Sequence, residues 1–159
     1  MLGSMSAGMP HGVIAVVTGV VVVLGVLIHY EGLAFLSRAL GYLPCRPRPR
    51  IIGMILALLA LHGLEVLLFG TAYYACVQWE ELGRIVVVDL DTEMTTLLDF
   101  AYFSVVVYTT VGFGDIIPQG PISGLAGAEA VTGLTLITWS ASFTFIEMQQ
   151  FWGRDERTR

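Results

Sequence analysis

Apolar residues run through this chain in three long blocks, at 12–28, 51–77 and 122–146, with polar and charged residues gathered between and after them. Each block is long enough to cross a hydrocarbon core of about 30 Å, which takes roughly 20 residues of helix. Counting histidine with the acidic and basic residues, the first block contains none, the second only His62 and Glu65, and the third only Glu129. Three such helices in a chain of 159 residues are too many to be the core of a soluble domain. A fourth, shorter apolar and aromatic stretch lies between the second and third blocks. Thr96 and Asp99 have the spacing of a capping box there, which predicts a helix over 96–108. Its apolar residues, Leu97, Leu98, Phe100, Tyr102, Phe103 and Val105 to Val107, call for burial on all sides.

Composition agrees with the pattern. Hydrophobic residues make up 55% of the chain against 13% charged, which is a bilayer composition and not a soluble one. Charge then orients the spans. Arg38, Arg46, Arg48 and Arg50 follow the first block, Arg154, Arg157 and Arg159 follow the third, and lysine is absent. The positive-inside rule makes that side cytoplasmic, so the N-terminus is expected outside and the C-terminus inside. The opposite side carries Glu80, Glu81, Asp89, Asp91, Glu93 and Asp99 against the single Arg84. No basic surface suggests nucleic acid. Cys45 and Cys76 fall on opposite sides of the membrane, so no disulfide is implied. The N-terminus lacks a basic segment before its apolar run, unlike a signal or transit peptide. Nothing in the chain suggests an enzyme.

After the short helix comes Thr109-Thr110-Val111-Gly112-Phe113-Gly114-Asp115. Two glycines one residue apart free the backbone for conformations closed to residues with a Cβ, so that successive carbonyls can turn toward one axis. This run resembles the TVGYG selectivity filter of the potassium channel family, with Phe in place of Tyr, and the likeness extends over Leu97 through Phe145. Weaker signatures, Leu61-His62-Gly63-Leu64-Glu65, Glu129 to Leu134 and Trp139-Ser140, are similar to small bacterial channels with one extra helix before the pore unit.

The resemblance implies an all-α membrane protein of three transmembrane helices plus a re-entrant pore helix and filter, assembling as a homotetrameric K⁺ channel of the plasma membrane. The expected segments are an external end and first transmembrane helix over 1–43, a stiff, basic Pro/Arg loop at the lipid headgroups over 44–50, and a pore domain over 51–148. That domain comprises an outer helix 51–78, a turret 79–95, a pore helix 96–108, a filter 109–115 and an inner helix 122–148, followed by a tail 149–159. The first helix is expected to start near His11, and the only strand signal is the short run Ile85 to Val88 in the turret. One loop cannot close a ring, so four chains are needed around the ions.

By the same resemblance, Thr110, Val111, Gly112 and Phe113 give oxygens to bound K⁺ and Gly114 lines the outer mouth. Thr109, Asp115 and Tyr102 would support the filter, Tyr102 as the partner of Asp115. Phe113 lacks the hydroxyl that braces the filter of relatives, and Val106 stands where some carry a carboxylic acid. Conduction is therefore expected to fail more readily at low external K⁺. Gly133 matches a hinge glycine, though close helix packing explains it equally well. His62, Glu65 and Glu129 form an expected intramembrane polar cluster, either a hydrogen-bonded tie or a proton-sensitive coupling to the back of the filter. No cofactor besides the bound K⁺ is expected, and membrane lipid is the remaining partner. No helix carries arginine at every third position, so voltage sensing of the usual kind is not supported. Two alternatives stay open, a weakly selective cation channel and a non-conducting regulatory subunit with the same pore fold.

Overall fold

A computed structural model describes residues 3–42, 47–88 and 94–156. Four helices make up most of it: α1 (Gly3–Tyr42), α2 (Pro47–Cys76), α3 (Leu97–Tyr108) and α4 (Ser123–Glu156). Two of them contain stretches long and apolar enough to cross a membrane, Met9–Ala39 and Pro49–Cys76. The third expected span lies in α4, which is long enough but less apolar, because Glu129, Thr132, Thr135, Thr138 and Ser140 punctuate it. α3 is too short to span and is wedged between α2 and α4, while α1 packs along α2 and α4.

The sequence explains these contacts. Phe69, Tyr73, Phe100, Phe103, Tyr108, Ile122 and Leu125 are buried together where α2, α3 and α4 meet. A smaller cluster of Leu33, Met54 and Leu58 closes the other end of α1 and α2. Small residues set the closest approaches: a Cβ on Gly70 would lie 3.0 Å from the Ala101 Cα. Outside the core, Val13, Val16, Val20, Val23, Leu27 and Tyr30 of α1 are exposed, a run of apolar surface that a water-soluble monomer rarely carries.

α3 starts as the Thr96–Asp99 spacing predicts. The Thr96 hydroxyl accepts the Asp99 N–H, and the Asp99 carboxylate accepts the N–H groups of Thr95 and Thr96. The Thr96 amide, more than the other contacts, holds the Asp99 carboxyl below the usual carboxylate range. A depressed folded pKa stabilises above the unfolded value of about 4 and stops doing so as pH falls through the folded value. The stability difference between wild type and Asp99→Asn should therefore shrink between pH 6 and pH 3, which thermal melts across that range would read.

The helix ends differ from expectation. α1 begins at Gly3, not near His11, and runs over Pro10, which has no N–H for the bond to the preceding turn. α2 takes in Pro47 to Arg50, expected to be non-helical connector. Both prolines fall in the first turn, where a missing N–H leaves no helical bond unmade. Pro44, Cys45 and Arg46 lie outside the described residues, as do Asp89, Asp91 and Glu93 of the expected turret. α4 runs on to Glu156, past the expected end at 148 and into the expected tail. Arg157 and Arg159 are again outside the described residues.

The structure also adds a small sheet to the helical plan. β1 (Arg84–Val87) and β2 (Ile116–Gln119) pair antiparallel, with Ile85 opposite Pro118 and Val87 opposite Ile116. Arg84 Nε donates to Gln119 Oε1 at 3.1 Å. Gly83, at φ 112°, has no room for a Cβ, which would sit 2.3 Å from the Gln119 carbonyl oxygen.

Candidate functional site

The site grows out of the C-terminal end of α3. An ending helix leaves carbonyls without partners, and here the next residues fold back to fill them. The Thr110 N–H donates to Val107 O at 2.9 Å, and the N–H groups of Val111 and Gly112 both donate to Val106 O, at 3.1 and 3.3 Å. In a trans peptide the carbonyl points opposite to the N–H of the same unit. The carbonyls of Thr109, Thr110 and Val111 therefore point away from α3. Backbone dihedrals continue the arrangement, since φ is positive at Thr110 (59°), Gly112 (54°) and Gly114 (84°) and not at Val111 or Phe113. Alternating φ signs keep successive peptide units turned to a common side. Only glycine takes the positive values without a penalty, so Thr110 carries the strain of the run.

All residues from Thr109 to Asp115 are exposed in the single chain, Phe113 at 68%. The Thr109 hydroxyl donates back to Val105 O at 2.7 Å. Beyond Gly114, the Asp115 carbonyl accepts the Val88 N–H at 2.7 Å, so the loop leaves directly into the β1–β2 ribbon. Tyr102 is half exposed, and among the described residues no hydrogen bond joins it to Asp115. The ribbon, and not Tyr102, is what holds Asp115 within one chain.

Behind the loop, the expected polar cluster divides into two hubs. Glu65 is fully buried and takes hydrogen bonds from three helices: His29 Nδ1 lies 2.8 Å from Oε1, His62 Nδ1 lies 3.1 Å from Oε2, and the Tyr108 hydroxyl donates to Oε2. Glu129, also fully buried, accepts from the hydroxyls of Tyr73 and Ser104 and not from the first hub. The Ser104 hydroxyl also lies 2.9 Å from Val66 O, so this side chain links α3 to both α2 and α4. Ser104 and Tyr108 are one turn apart on α3, which places the two hubs in line along the helix that carries the loop.

His29, Tyr73, Ser104 and Tyr108 were not singled out by sequence reasoning, and Ser140 entered only through the Trp139-Ser140 likeness. His29 had a signal: it is the first ionisable residue after an uncharged run, within a helix expected to continue past it. The hydroxyl partners had none, because nothing local tells which tyrosine or serine will face a carboxyl on another helix.

Gly133 of α4 sits against this same helix end. A Cβ there would lie 2.2 Å from Tyr108 O and 2.9 Å from Tyr108 C, and α4 passes through the position without a break. Close packing thus accounts for this glycine without any hinge.

The geometry converges on one feature, a short helix whose following loop presents backbone oxygens away from the fold, held inside apolar helices. A model of the family described as "Ion channel" matches residues 61–150, which takes in the second half of α2, the ribbon, α3, the loop and most of α4. Among curated proteins, none matches the chain. The family match and the apolar spans make this a membrane protein. More than half of the chain lies within the match, and the chain belongs to the ion channel family.

Proposed function

We propose that four copies of this chain surround a common axis in the plasma membrane and conduct K⁺ passively through a filter formed by Thr110 to Gly114. The observation that carries this reading is the direction of the loop's carbonyls. Their amides are spent on the end of α3, so the oxygens of Thr109, Thr110 and Val111 are free to replace the water shell of a cation. K⁺ would be held at Thr110, Val111, Gly112 and Phe113, with Gly114 at the mouth. The C-terminal end of α3 adds a partial negative charge beneath the filter.

Two further observations support assembly. The filter loop is exposed in one chain, and α4 presents Val131, Leu134, Ile137, Phe145 and Ile146 outward, enough to serve as a third span lined by lipid, cavity or a neighbouring copy. The arginine asymmetry supports an orientation with the N-terminus and filter outside and the C-terminus in the cytoplasm.

Flux into liposomes reconstituted with the purified chain tests the proposal. K⁺ and Rb⁺ should enter and Na⁺ should not, and cross-linking should stop at the tetramer; equal Na⁺ and K⁺ flux would overturn it. Gly112→Ala forces a side chain into φ 54°, which costs roughly 1 to 2 kcal/mol per subunit. Repeated in four subunits around one axis, it should abolish K⁺ flux while leaving assembly on size-exclusion chromatography intact.

Glu80 and Glu81, both exposed, should concentrate cations near the entrance. Screening over a Debye length of about 8 Å at physiological salt limits the effect. Conductance of Glu80→Gln/Glu81→Gln should fall in low salt and match wild type in high salt, as single-channel currents at the two ionic strengths would show.

A further inference from the structure

We propose that His29, His62 and Glu65 form a binding site for a divalent transition ion of the zinc class, set within the helices behind the filter loop. The three residues each direct one donor atom into a shared space. His29 Nδ1 and His62 Nδ1 lie 2.8 and 3.1 Å from the two oxygens of Glu65, and the three ligand atoms fall within 4.8 Å of one another. Zinc bonds of about 2.0 to 2.2 Å at tetrahedral angles separate ligand atoms by roughly 3.3 to 3.6 Å. The separations of 2.8 Å up to 4.8 Å bracket that value, so side-chain adjustments of up to about an ångström, with each Nδ1 proton moved to Nε2, would turn the hydrogen-bonded triad into a ligand set.

A second, independent feature fits the same use. A histidine that binds metal through Nδ1 must carry its proton on Nε2, and such a proton is usually held by an outer acceptor. The buried Ser140 hydroxyl lies 3.4 Å from His29 Nε2 and can accept it. The Tyr108 hydroxyl, 2.9 Å from His62 Nδ1 and bonded to Glu65, stands where a fourth oxygen or an outer hydrogen bond is needed. His29 and Glu65 are fully buried and the His62 side chain is 17% exposed, so an ion would enter past His62 into a site that excludes water. Two imidazoles and one carboxylate favour zinc, cobalt or nickel over magnesium and calcium, which prefer all-oxygen shells. The bound ion would tie α1 to α2, and binding to the folded state alone would raise its stability.

The test uses the full chain in detergent at pH 7.5. Calorimetric titration with Zn²⁺ should give one saturable site per chain, and Co²⁺ should develop the intense visible bands of four-coordinate cobalt. Zn²⁺ should raise the thermal midpoint where the same concentration of Mg²⁺ does not. His29→Gln and His62→Gln should each weaken binding by more than about tenfold, and Ser140→Ala by about tenfold. His11→Ala and Cys76→Ser should leave it unchanged. Absence of saturable binding, binding that survives in both histidine variants, or binding lost with His11 or Cys76 would overturn the site. Should the histidine variants fail to fold, X-ray absorption on the wild-type zinc complex decides. Two imidazole ligands are expected, and sulfur or fewer than two imidazoles would contradict the proposal.

Discussion

Replacing Glu65 with leucine is expected to lower the stability of the folded chain by about 3 kcal/mol or more. Three groups, His29 Nδ1, His62 Nδ1 and the Tyr108 hydroxyl, bond to this one buried carboxyl. Leucine has similar size but accepts nothing, so His29 Nδ1 is left unmatched in an apolar interior, while His62 Nδ1 and the Tyr108 hydroxyl, 2.9 Å apart, keep only each other. An unsatisfied buried donor costs about 1 to 3 kcal/mol, and breaking a buried pair from one side about 3 to 5 kcal/mol. Glu65→Gln, which keeps one acceptor oxygen, should fall between leucine and wild type. Thermal or denaturant unfolding in detergent would read the order. A leucine variant as stable as wild type would mean the three groups find other partners, and that Glu65 does not hold α1, α2 and α3 together.

The second large effect is expected at Gly133. An added methyl group would sit 2.2 Å from Tyr108 O, closer than any real contact, so α4 or the end of α3 must move by about an ångström. Overpacking of this kind costs roughly 1 to 3 kcal/mol. Tyr108 directly precedes Thr109 and Thr110, so the movement reaches the loop. Gly133→Ala should reduce K⁺ flux by at least about tenfold at roughly 2 kcal/mol of distortion. Gly127 on the same helix has open space around it, and Gly127→Ala should be close to neutral. A pure hinge would instead leave stability intact and change only the gating kinetics, so unfolding and flux measured on both variants separate the two roles.

How far the sequence carries depends on whether the cause of each feature is local. The capping box of α3 was legible because Thr96 and Asp99 bond to each other's backbone within one turn. The loop was legible because its glycines answer a backbone requirement at their own positions, and Gly112 and Gly114 do take positive φ. The ribbon was not legible. Ile85 to Val88 had strand propensity, but its partner strand contains Pro118, and only the fold brings the two segments together. His62 and Glu65 were found because they share a helix face, whereas His29 and Tyr108 reach Glu65 from other helices. Glu129 was expected in the same cluster from its depth along the helix alone. Depth does not specify which way a side chain turns, and Tyr73 and Ser104 capture it first. The start of α2 was misjudged for another reason: proline was weighed as a breaker, although in a first turn it breaks nothing.

The most direct test of the central claim is the reversal potential of single channels in a planar bilayer when external K⁺ is replaced by Na⁺. If the loop's carbonyls form a K⁺-selective filter, the reversal potential should move by about 59 mV for each tenfold fall in external K⁺, as for a single permeant monovalent ion. A reversal potential that stays near zero as Na⁺ replaces K⁺ would contradict the account.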